Sequence, residues 1–252
     1  MSDTPLGLIS AIPQELAHFG TALELESSRE IAGIAFKTGR LDGLPVVAVE
    51  AGLGKVNAAL VSTLLLAKFG CRGLIFSGVA GGLDPALQVG DVVLGKRLIC
   101  HDYGRLSAQR IVTYQPGNMP LPGCSETHGY DLPPELLTRI RQVLSGFELP
   151  KVTAEGGGAR RPRLIEGTIL TGDTFLSCAA TRIELAERFA GQAVEMEGAA
   201  VAQVAERFEK PAIVIRALSD LAGEESHLDF GRFLEDAAGS AARIVRRILP
   251  AI

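Results

Sequence analysis

Three acidic side chains stand close to the ends of apolar segments, where polar groups could do chemistry. Glu15 follows the run Leu6–Ile12, Glu197 precedes an Ala-rich segment, and Asp220 follows the run Ala212–Leu218. Each could have an ordinary structural role, because acids in the first turn of a helix interact favourably with its dipole. Polar groups at the carboxyl ends of buried strands, however, line ligand sites in α/β folds. We therefore interpret the three acids as candidates for one shared cleft.

Other familiar chemistries find little support among the reactive side chains. No two histidines have the spacing of a zinc pair, so we expect no metal. A Gly-x-Ser-x-Gly segment is absent from the sequence, which argues against a Ser-His-Asp hydrolase. The cysteines form no Cys-x-x-Cys pair, which predicts reduced thiols and a cytoplasmic location. The histidines and cysteines are His18, His101, His128, His227, Cys71, Cys100, Cys124 and Cys178.

Two glycine-rich segments follow predicted strands. Ala51–Lys55 lacks the longer glycine spacing of a phosphate loop, and Val56 stands where such a loop has Ser or Thr. We interpret it as a tight strand-to-helix turn near a ligand. Ser77–Gly82 allows two interpretations, a close approach of backbone to a ligand or a tight turn. We interpret the pair His101-Asp102 as structural.

Apolar runs alternate with amphipathic segments along the chain. The runs rich in Val, Ile and Leu predict buried strands at Leu6–Ile12, Pro45–Glu50, Gly73–Ser77, Val92–Leu98, Leu164–Leu170 and Ala212–Leu218. Apolar residues three and four apart predict helices at Val56–Phe69, Pro134–Leu144, Thr181–Phe189, Val194–Phe208 and Phe230–Leu249. The alternation predicts a single α/β domain, with a mixed central sheet flanked by helices.

Composition and charge exclude several classes of protein. The net charge of −4 gives no reason to expect nucleic acid or an acidic membrane as partner. No segment approaches 18 uninterrupted apolar residues, so we expect no membrane span. The region Tyr103–Pro162 is broken by prolines and glycines and predicts one helix, and such stretches are often lids. Within it, Arg160 and Arg161, followed by Arg163 and preceded by Gly156–Gly158, predict a solvated loop.

Taken together, the motifs resemble the methylthioadenosine / S-adenosylhomocysteine nucleosidase family of the nucleoside phosphorylase superfamily. Val-Glu-Met-Glu followed by Arg-Ala-Leu-Ser-Asp is the most specific part of the resemblance. The matching segments lie over most of the chain outside Tyr103–Pro162. They are Gly7–Glu15, Gly52–Leu60, Ser77–Asp91, Thr171–Phe175, Val194–Ala200, Arg216–Asp220 and Ser226–Leu234.

The resemblance implies a nucleoside phosphorylase-like fold and a role for each acid. Glu15 would activate the water that attacks the anomeric carbon, and Asp220 would protonate N7 of the departing adenine. Glu197 would accept hydrogen bonds from the ribose 2′- and 3′-hydroxyls, and Arg216 would help to organise the water side. The chemistry requires Asp220 to have a raised pKa and Glu15 to stay ionised, so the two carboxyl groups need different environments.

The resemblance also implies a set of contacts to a purine nucleoside. Met196 would pack under the sugar and Phe175 would stack on the base. The backbone of Leu176 would read the edge of the base, and Phe230 would form an apolar wall for the 5′-substituent. The remaining substrate-binding residues implied by the resemblance are Ile12, Leu53, Val79, Gly81 and Ser219.

Hydrolysis is favoured over phosphorolysis. Phosphorylases of the superfamily hold phosphate with arginines, whereas this chain has Phe76 at one such position and Glu15 with no arginine nearby. A carboxylate there would repel phosphate and suit water. A phosphorylase that uses other residues stays open, as does a non-catalytic nucleoside-binding protein of the same fold.

Some positions depart from the family pattern. Val79 replaces a usual Ser, Ile12 replaces a usual Met, and Tyr103–Pro162 is longer than usual. The 5′-substituent is thus less fixed than the bond that is cut, and futalosine or adenosine stay open as substrates. The resemblance implies a homodimer without metal or cofactor, and the 47% hydrophobic content agrees with apolar surface hidden in an interface.

Overall fold

A computed structural model describes residues 4–108, 110–123, 128–153 and 158–252 of the chain. Cys124 and the glycines Gly156 and Gly157, which entered the predictions above, lie outside these residues. The other three cysteines are free thiols.

The described chain alternates strands and helices. The strands are β1 Leu6–Ser10, β2 Leu23–Ile31, β3 Ile34–Leu41, β4 Leu44–Glu50, β5 Leu74–Gly82, β6 Val92–Cys100, β7 Gly104–Leu106, β8 Ile111–Thr113, β9 Tyr130–Asp131, β10 Val152–Thr153, β11 Ala159–Arg160, β12 Leu164–Thr171, β13 Gly191–Glu195 and β14 Ala212–Asp220. The helices are α1 Pro13–Gly20, α2 Lys55–Ala67, α3 Pro134–Leu144, α4 Ala179–Phe189, α5 Gly198–Arg207 and α6 Ser226–Ile248, followed by a 3₁₀ turn at Leu249–Ala251.

The central sheet is mixed, as the sequence predicts. Its strands follow the order β13-β12-β6-β14-β5-β1-β4-β3-β2, and β9 adds to β6. Strands β1, β4, β5 and β14 are parallel to one another, whereas β14 is antiparallel to β6. Because β13 also pairs with β5, through Ala193 with Gly82 and Val194 with Gly81, the sheet curls and its first strand meets its fifth.

This curling decides where a site can form. Parallel strands β1, β4, β5 and β14 end at the same edge of the sheet. The pairing of β13 with the last residues of β5 brings the carboxyl end of β13 to that edge as well. Residues far apart in sequence therefore meet around one opening.

Helices cover both faces of the sheet, and each face has its own apolar core. On one face, Val61 and Leu65 of α2 pack with Val201 and Ala205 of α5 against the strands. On the other face, α1, α3 and α6 contribute apolar side chains such as Phe19, Ile140 and Val245. Burial of this apolar area supplies the main driving force for folding. Within the described residues, none of the helices has the length and apolar content that a membrane crossing requires.

The predicted elements are confirmed with changed boundaries, and some were missed. The helix over Pro134–Leu144 is confirmed residue for residue. The predicted helix Val194–Phe208 is wrong at its start, because Val194 and Glu195 complete β13. The missed strands include the hairpin β2–β3, and the sequence predicts β2 poorly because most of its side chains are exposed and polar.

The prediction for Ser77–Gly82 needs correction. The segment is not a turn but the second half of β5, which runs without interruption to Gly82. The strand continues through its glycines because β14 pairs with it on one side and β13 on the other.

The prediction of a solvated loop is wrong for Arg160, whereas Arg161 and Arg163 are exposed. Arg160 lies in β11, and its Nη2 donates to Oδ1 of Asp91 at 2.8 Å. Arg163 donates through its backbone N and its guanidinium to the same carboxylate. Asp91 is completely buried, so these arginines neutralise an internal charge.

Candidate active site

A cavity of about 320 Å³ opens at the shared edge of the sheet. All of the predicted site residues except Arg216 line it, which brings together positions from Ile12 to Phe230. Arg216 lies behind the wall and is completely buried. Ala11, Ala80, Thr174, Val194 and Glu195 also line the cavity, and the sequence did not single them out as site residues.

Glu15 is held by backbone amides on one side of the cavity. Its Oε2 accepts from the N–H groups of Ala11 at 2.7 Å and Ile12 at 3.3 Å, and its Oε1 accepts from Val79 at 2.9 Å. Burial raises the pKa of this carboxyl, while the charge of Arg216 and the three amides act in the opposite direction. Three donors on both oxygens fit the ionised form, which is the form that can take a proton from water.

Two glycines of β5 make room for the acids. A side chain at Gly78 would overlap both the Arg216 guanidinium and the Glu15 carboxylate. A Cβ at Gly81 would stand 3.0 Å from Oδ1 of Asp220. Here the glycines of the Ser77–Gly82 segment are required by protein side chains that cross the strand closely.

Arg216 fixes two carboxylates from behind. Its Nε donates to Oε2 of Glu195 at 3.1 Å, and its Nη2 donates to Glu195 and, at 3.2 Å, to Oε2 of Glu197. The guanidinium carbon lies 4.0 Å from the ring centroid of Phe76, in cation–π contact. Burial alone would lower the pKa of Arg216, but the carboxylates around it raise it, so its charge is fully engaged.

Glu195 lies in the Val-Glu-Met-Glu segment, but the sequence did not single it out as a site residue. It caps α5, since both of its oxygens accept from the N–H of Gly198, at 2.8 and 2.9 Å. It also accepts from the hydroxyl of Thr171 and pairs with Arg216. Its place one residue before Met196 in a Glu-x-Glu segment was the only signal in the sequence.

Glu197 combines burial with neighbouring charge. It is 3% exposed, its Oε1 accepts from the Gly54 N–H at 2.8 Å, and its Oε2 faces Arg216. Burial and the charge of Glu195 raise the pKa of Glu197 to about 7, against the opposing effects of Arg216 and the Gly54 amide. This carboxyl therefore changes its charge near neutral pH.

Asp220 lies in a different environment. It is 2% exposed, its Oδ1 accepts from the Ala222 N–H at 2.8 Å, and its Oδ2 accepts from the Ser219 hydroxyl at 3.0 Å. Burial raises the pKa of Asp220, although both hydrogen bonds act in the opposite direction. A raised pKa keeps a proton on a carboxyl group, which then can act as an acid.

An aromatic pair forms the apolar side of the cavity. The rings of Phe175 and Phe230 meet edge to face with centroids 6.2 Å apart. Phe175 is 51% exposed, so its face is open to a flat ligand. The neighbouring Leu176 is tied to the start of α6, because its carbonyl accepts from the Ser226 hydroxyl at 3.3 Å.

The charged side chains that line the cavity are acidic. Glu15, Glu195, Glu197 and Asp220 line it, and no Lys or Arg does so among the described residues. The buried cation Arg216 is already paired with two carboxylates. Such a lining repels an anion such as phosphate and suits a neutral ligand with hydroxyl groups. Within the described parts of the chain, no group of three or more His, Cys, Asp or Glu is arranged to hold a metal ion.

A change of pH tests the environment of Glu197. Its folded-state pKa of about 7 lies above the ordinary value of 4.5, so its contribution to stability is present below pH 4.5 and is lost as the pH rises through about 7. We expect the free energy of unfolding of the wild type to fall between pH 5 and pH 8. In Glu197→Gln this fall should be smaller by about 1 to 3 kcal/mol.

Urea unfolding of both proteins at several pH values measures the difference. Glu15 and Asp220, whose pKa values are also raised, contribute with the same sign in both proteins, so the comparison isolates Glu197. Identical slopes in the two proteins would show that Glu197 titrates in its ordinary range.

The phosphorylase superfamily profile matches residues 5–250. The chain therefore belongs to the phosphorylase superfamily, and the fold and the acidic cavity agree with this. Within the superfamily it belongs to the family of 5′-methylthioadenosine/S-adenosylhomocysteine nucleosidases. It is 49% identical, over 98% of its length, to the protein of that name from Mycobacterium tuberculosis, of which 97% is covered.

Solved structures of similar proteins agree. The nucleosidase of Neisseria meningitidis in complex with methylthio-immucillin-A superposes with a TM-score of 0.82 at 29% identity, over 99% of this chain and 100% of that one. The futalosine hydrolase of Helicobacter pylori has the same TM-score of 0.82 at 26% identity, over 99% of this chain and 98% of that one.

Proposed function

We propose that the protein hydrolyses the N-glycosidic bond of 5′-methylthioadenosine and S-adenosylhomocysteine, releasing adenine and the thio-substituted ribose. The observation that carries the proposal is one cavity with two carboxyl groups in different environments. Burial raises the pKa of both carboxyl groups. Glu15 accepts three amide hydrogen bonds and lies near the charge of Arg216, which favour its anion, whereas Asp220 accepts two hydrogen bonds and fits a proton donor. The relatives that bear this name extend over nearly the whole chain.

The reaction divides the work between the acids. Asp220 gives its proton to N7 of adenine, so that the base leaves as a neutral molecule while the C1′–N9 bond breaks. The sugar becomes positively charged, and Glu15 takes a proton from the water that attacks C1′. Ionised Glu197 accepts the 2′- and 3′-hydroxyls and places negative charge near the cation, while Met196 packs under the ring.

Arg216 acts through other residues in this proposal. It holds Glu195 and Glu197 in place and lies close to Glu15, whose pKa its charge lowers. The base stacks on Phe175, and the backbone of Leu176 reads its edge. Ser219 and Gly81 lie near Asp220, and the apolar walls are formed by Ile12, Leu53, Val79 and Phe230.

Adenine release from methylthioadenosine, followed by chromatography in buffers with and without phosphate, tests the proposal. We expect equal release in both buffers, with free methylthioribose as the second product. Release only with phosphate would make the protein a phosphorylase, and binding without release would make it a nucleoside-binding protein. A panel containing futalosine and adenosine compares substrates, because the Helicobacter pylori neighbour is a futalosine hydrolase.

We also propose a cytoplasmic homodimer. Near the cavity, apolar side chains of Leu53, Val56 and Leu60 are 58%, 80% and 42% exposed, which a second copy of the chain would cover. Light scattering after gel filtration should give twice the 26.6 kDa of one chain. Cell fractionation tests the cytoplasmic location, which the free thiols Cys71 and Cys100 support.

A further inference from the structure

A charged cluster outside the cavity joins three loops that surround it. Lys55 begins α2, Asp102 follows β6, and Asp173 follows β12. The Lys55 Nζ lies 2.5 Å from Oδ1 of Asp102 and 3.5 Å from Oδ2 of Asp173. The two aspartates are linked as well, because Oδ2 of Asp102 accepts from the Asp173 N–H at 2.8 Å. The cluster is thus a closed triangle of contacts.

The triangle also supplies the N-terminal acceptor of α2. Gly54, with φ of 93°, stands at the cap position and has no side chain to accept from the first amides. Oδ1 of Asp173 takes this role from another loop, because it accepts from the Lys55 N–H at 2.9 Å. A positive charge at the N-terminus of a helix is unfavourable because of the helix dipole. Both aspartates neutralise the charge of Lys55 at this position.

Both charges of the main pair persist at working pH. Burial lowers the pKa of Lys55, but its contacts with Asp102, Cys100 and Asp173 more than offset this and leave it raised. Burial raises the pKa of Asp102, yet Lys55, the Asp173 amide and Cys100 leave it lowered. The side chains of Lys55 and Asp102 are only 23% and 21% exposed, so solvent screens their attraction less than on an open surface.

Two corners of the triangle, Lys55 and Asp173, adjoin residues that form or contact the cavity wall. The Gly54 N–H, adjacent to Lys55, donates to Oε1 of Glu197 at 2.8 Å. Thr174, Phe175 and Leu176 follow Asp173 directly and line the cavity. Displacement of the triangle would therefore move the acceptor for the ribose and the wall for the base together.

We propose that Lys55, Asp102 and Asp173 form a positioning network that sets Glu197 and the segment 174–176 at the distance a nucleoside requires. None of the three touches the reacting atoms in the proposed function, on which this inference rests. The network acts through the Gly54 amide and through the backbone that follows Asp173.

Lys55→Met tests the network, since it removes the charge and keeps the apolar stem. We expect KM for methylthioadenosine to rise about tenfold with a smaller change in kcat, because substrate contacts are loosened on two sides. The acidic limb of the pH profile of kcat/KM should move to higher pH. Glu197, faced by Glu195, Arg216 and Glu15, would lose the Gly54 N–H that favours its ionised form.

A second variant, Asp102→Asn, tests the same network from the other side of the ion pair. Asp102→Asn retains an oxygen for the Asp173 N–H and removes the charge that faces Lys55, so it should change KM in the same direction. In the double variant, KM should rise no more than in the single variant with the larger rise, because both substitutions break the same network. Additive effects, or a KM and an acidic limb equal to those of the wild type, would overturn the proposal.

The matched control is Arg246→Met, which breaks another ion pair between two elements. Arg246 donates to Asp42 through Nε at 2.8 Å, and neither residue lines the cavity. Its loss should lower stability without moving KM or the acidic limb.

Calorimetry of adenine binding separates this inference from the proposed function. We expect Lys55→Met to bind adenine about tenfold more weakly, which corresponds to about 1.4 kcal/mol. This measurement reports on the segment 174–176, which forms the wall for the base, even if the protein shows no turnover. Equal adenine affinity in wild type and variants would overturn the network, whereas a wild type without turnover would overturn the function.

Discussion

Asp220→Asn is expected to lower kcat for methylthioadenosine by about 10² to 10⁴-fold, the usual contribution of a general acid. The substitution removes the proton that adenine needs to leave as a neutral base. The local structure should survive, because an amide oxygen can still accept from the Ala222 N–H and an amide nitrogen can donate to the Ser219 hydroxyl. Single-turnover kinetics with purified variant and wild type measures the effect on the chemical step.

Two comparisons make the result specific. Asp84→Asn changes an aspartate that accepts from the Ala86 N–H at 2.8 Å in a loop outside the cavity, and it should leave kcat unchanged. Adenine binding to Asp220→Asn, measured by calorimetry, should stay within about tenfold of the wild type, since stacking on Phe175 is retained. Turnover at the wild-type rate would remove Asp220 from the role of proton donor.

The candidate site could be predicted from sequence because its acids follow local rules. Glu15 and Asp220 each follow a predicted strand, and α/β folds place ligands there, whereas the role of Glu197 was implied by the resemblance of the Val-Glu-Met-Glu segment to the family. In the structure, all three acids line one cavity. The sequence could not predict the surroundings of each acid, since these depend on amides such as the Val79 N–H and on burial by distant segments.

The parts that sequence could not predict depend on pairing between distant strands. Gly81 and Gly82 look like a turn, but they lie in a strand because β13 pairs with both of them and β14 pairs with Gly81 from the other side. Strand β13 has five residues and leads straight towards an Ala-rich helix, so its apolar pattern merged with that of the helix. With β13 missed, the inward position of Glu195 could not be recognised.

The sequence contains a turn signal for the hairpin β3–β4 at the far edge of the sheet. Asp42-Gly43 joins β3 to β4 with both residues at positive φ, a dipeptide that favours tight hairpin turns. This pair would have predicted β3. Strand β2 carries little such signal, because its side chains are mostly exposed and polar and its place depends on pairing with β3.

Glu15→Gln is the second variant with a large expected effect, and we expect hydrolysis to fall by about 10² to 10⁴-fold or more. The amide cannot take a proton from water. It can accept from the Ala11 and Ile12 N–H groups with its oxygen, but its NH₂ then faces the Val79 N–H, which loses its acceptor. The variant should therefore also lose about 1 to 3 kcal/mol of stability. Adenine release in phosphate-free buffer and urea unfolding measure the two effects separately.

Glu135→Gln is the control for replacing a glutamate in the first turn of a helix. Glu135 stands in the first turn of α3 as Glu15 stands in the first turn of α1, but it is exposed and lies outside the cavity. Glu135→Gln should keep full turnover. In Glu15→Ala, added formate should restore part of the release, because a small carboxylate can occupy the vacated space and accept the proton. Undiminished turnover in Glu15→Gln would contradict the base assignment. Phosphate-dependent turnover in Glu15→Gln would show that this carboxylate, through its charge, reserves the cavity for water.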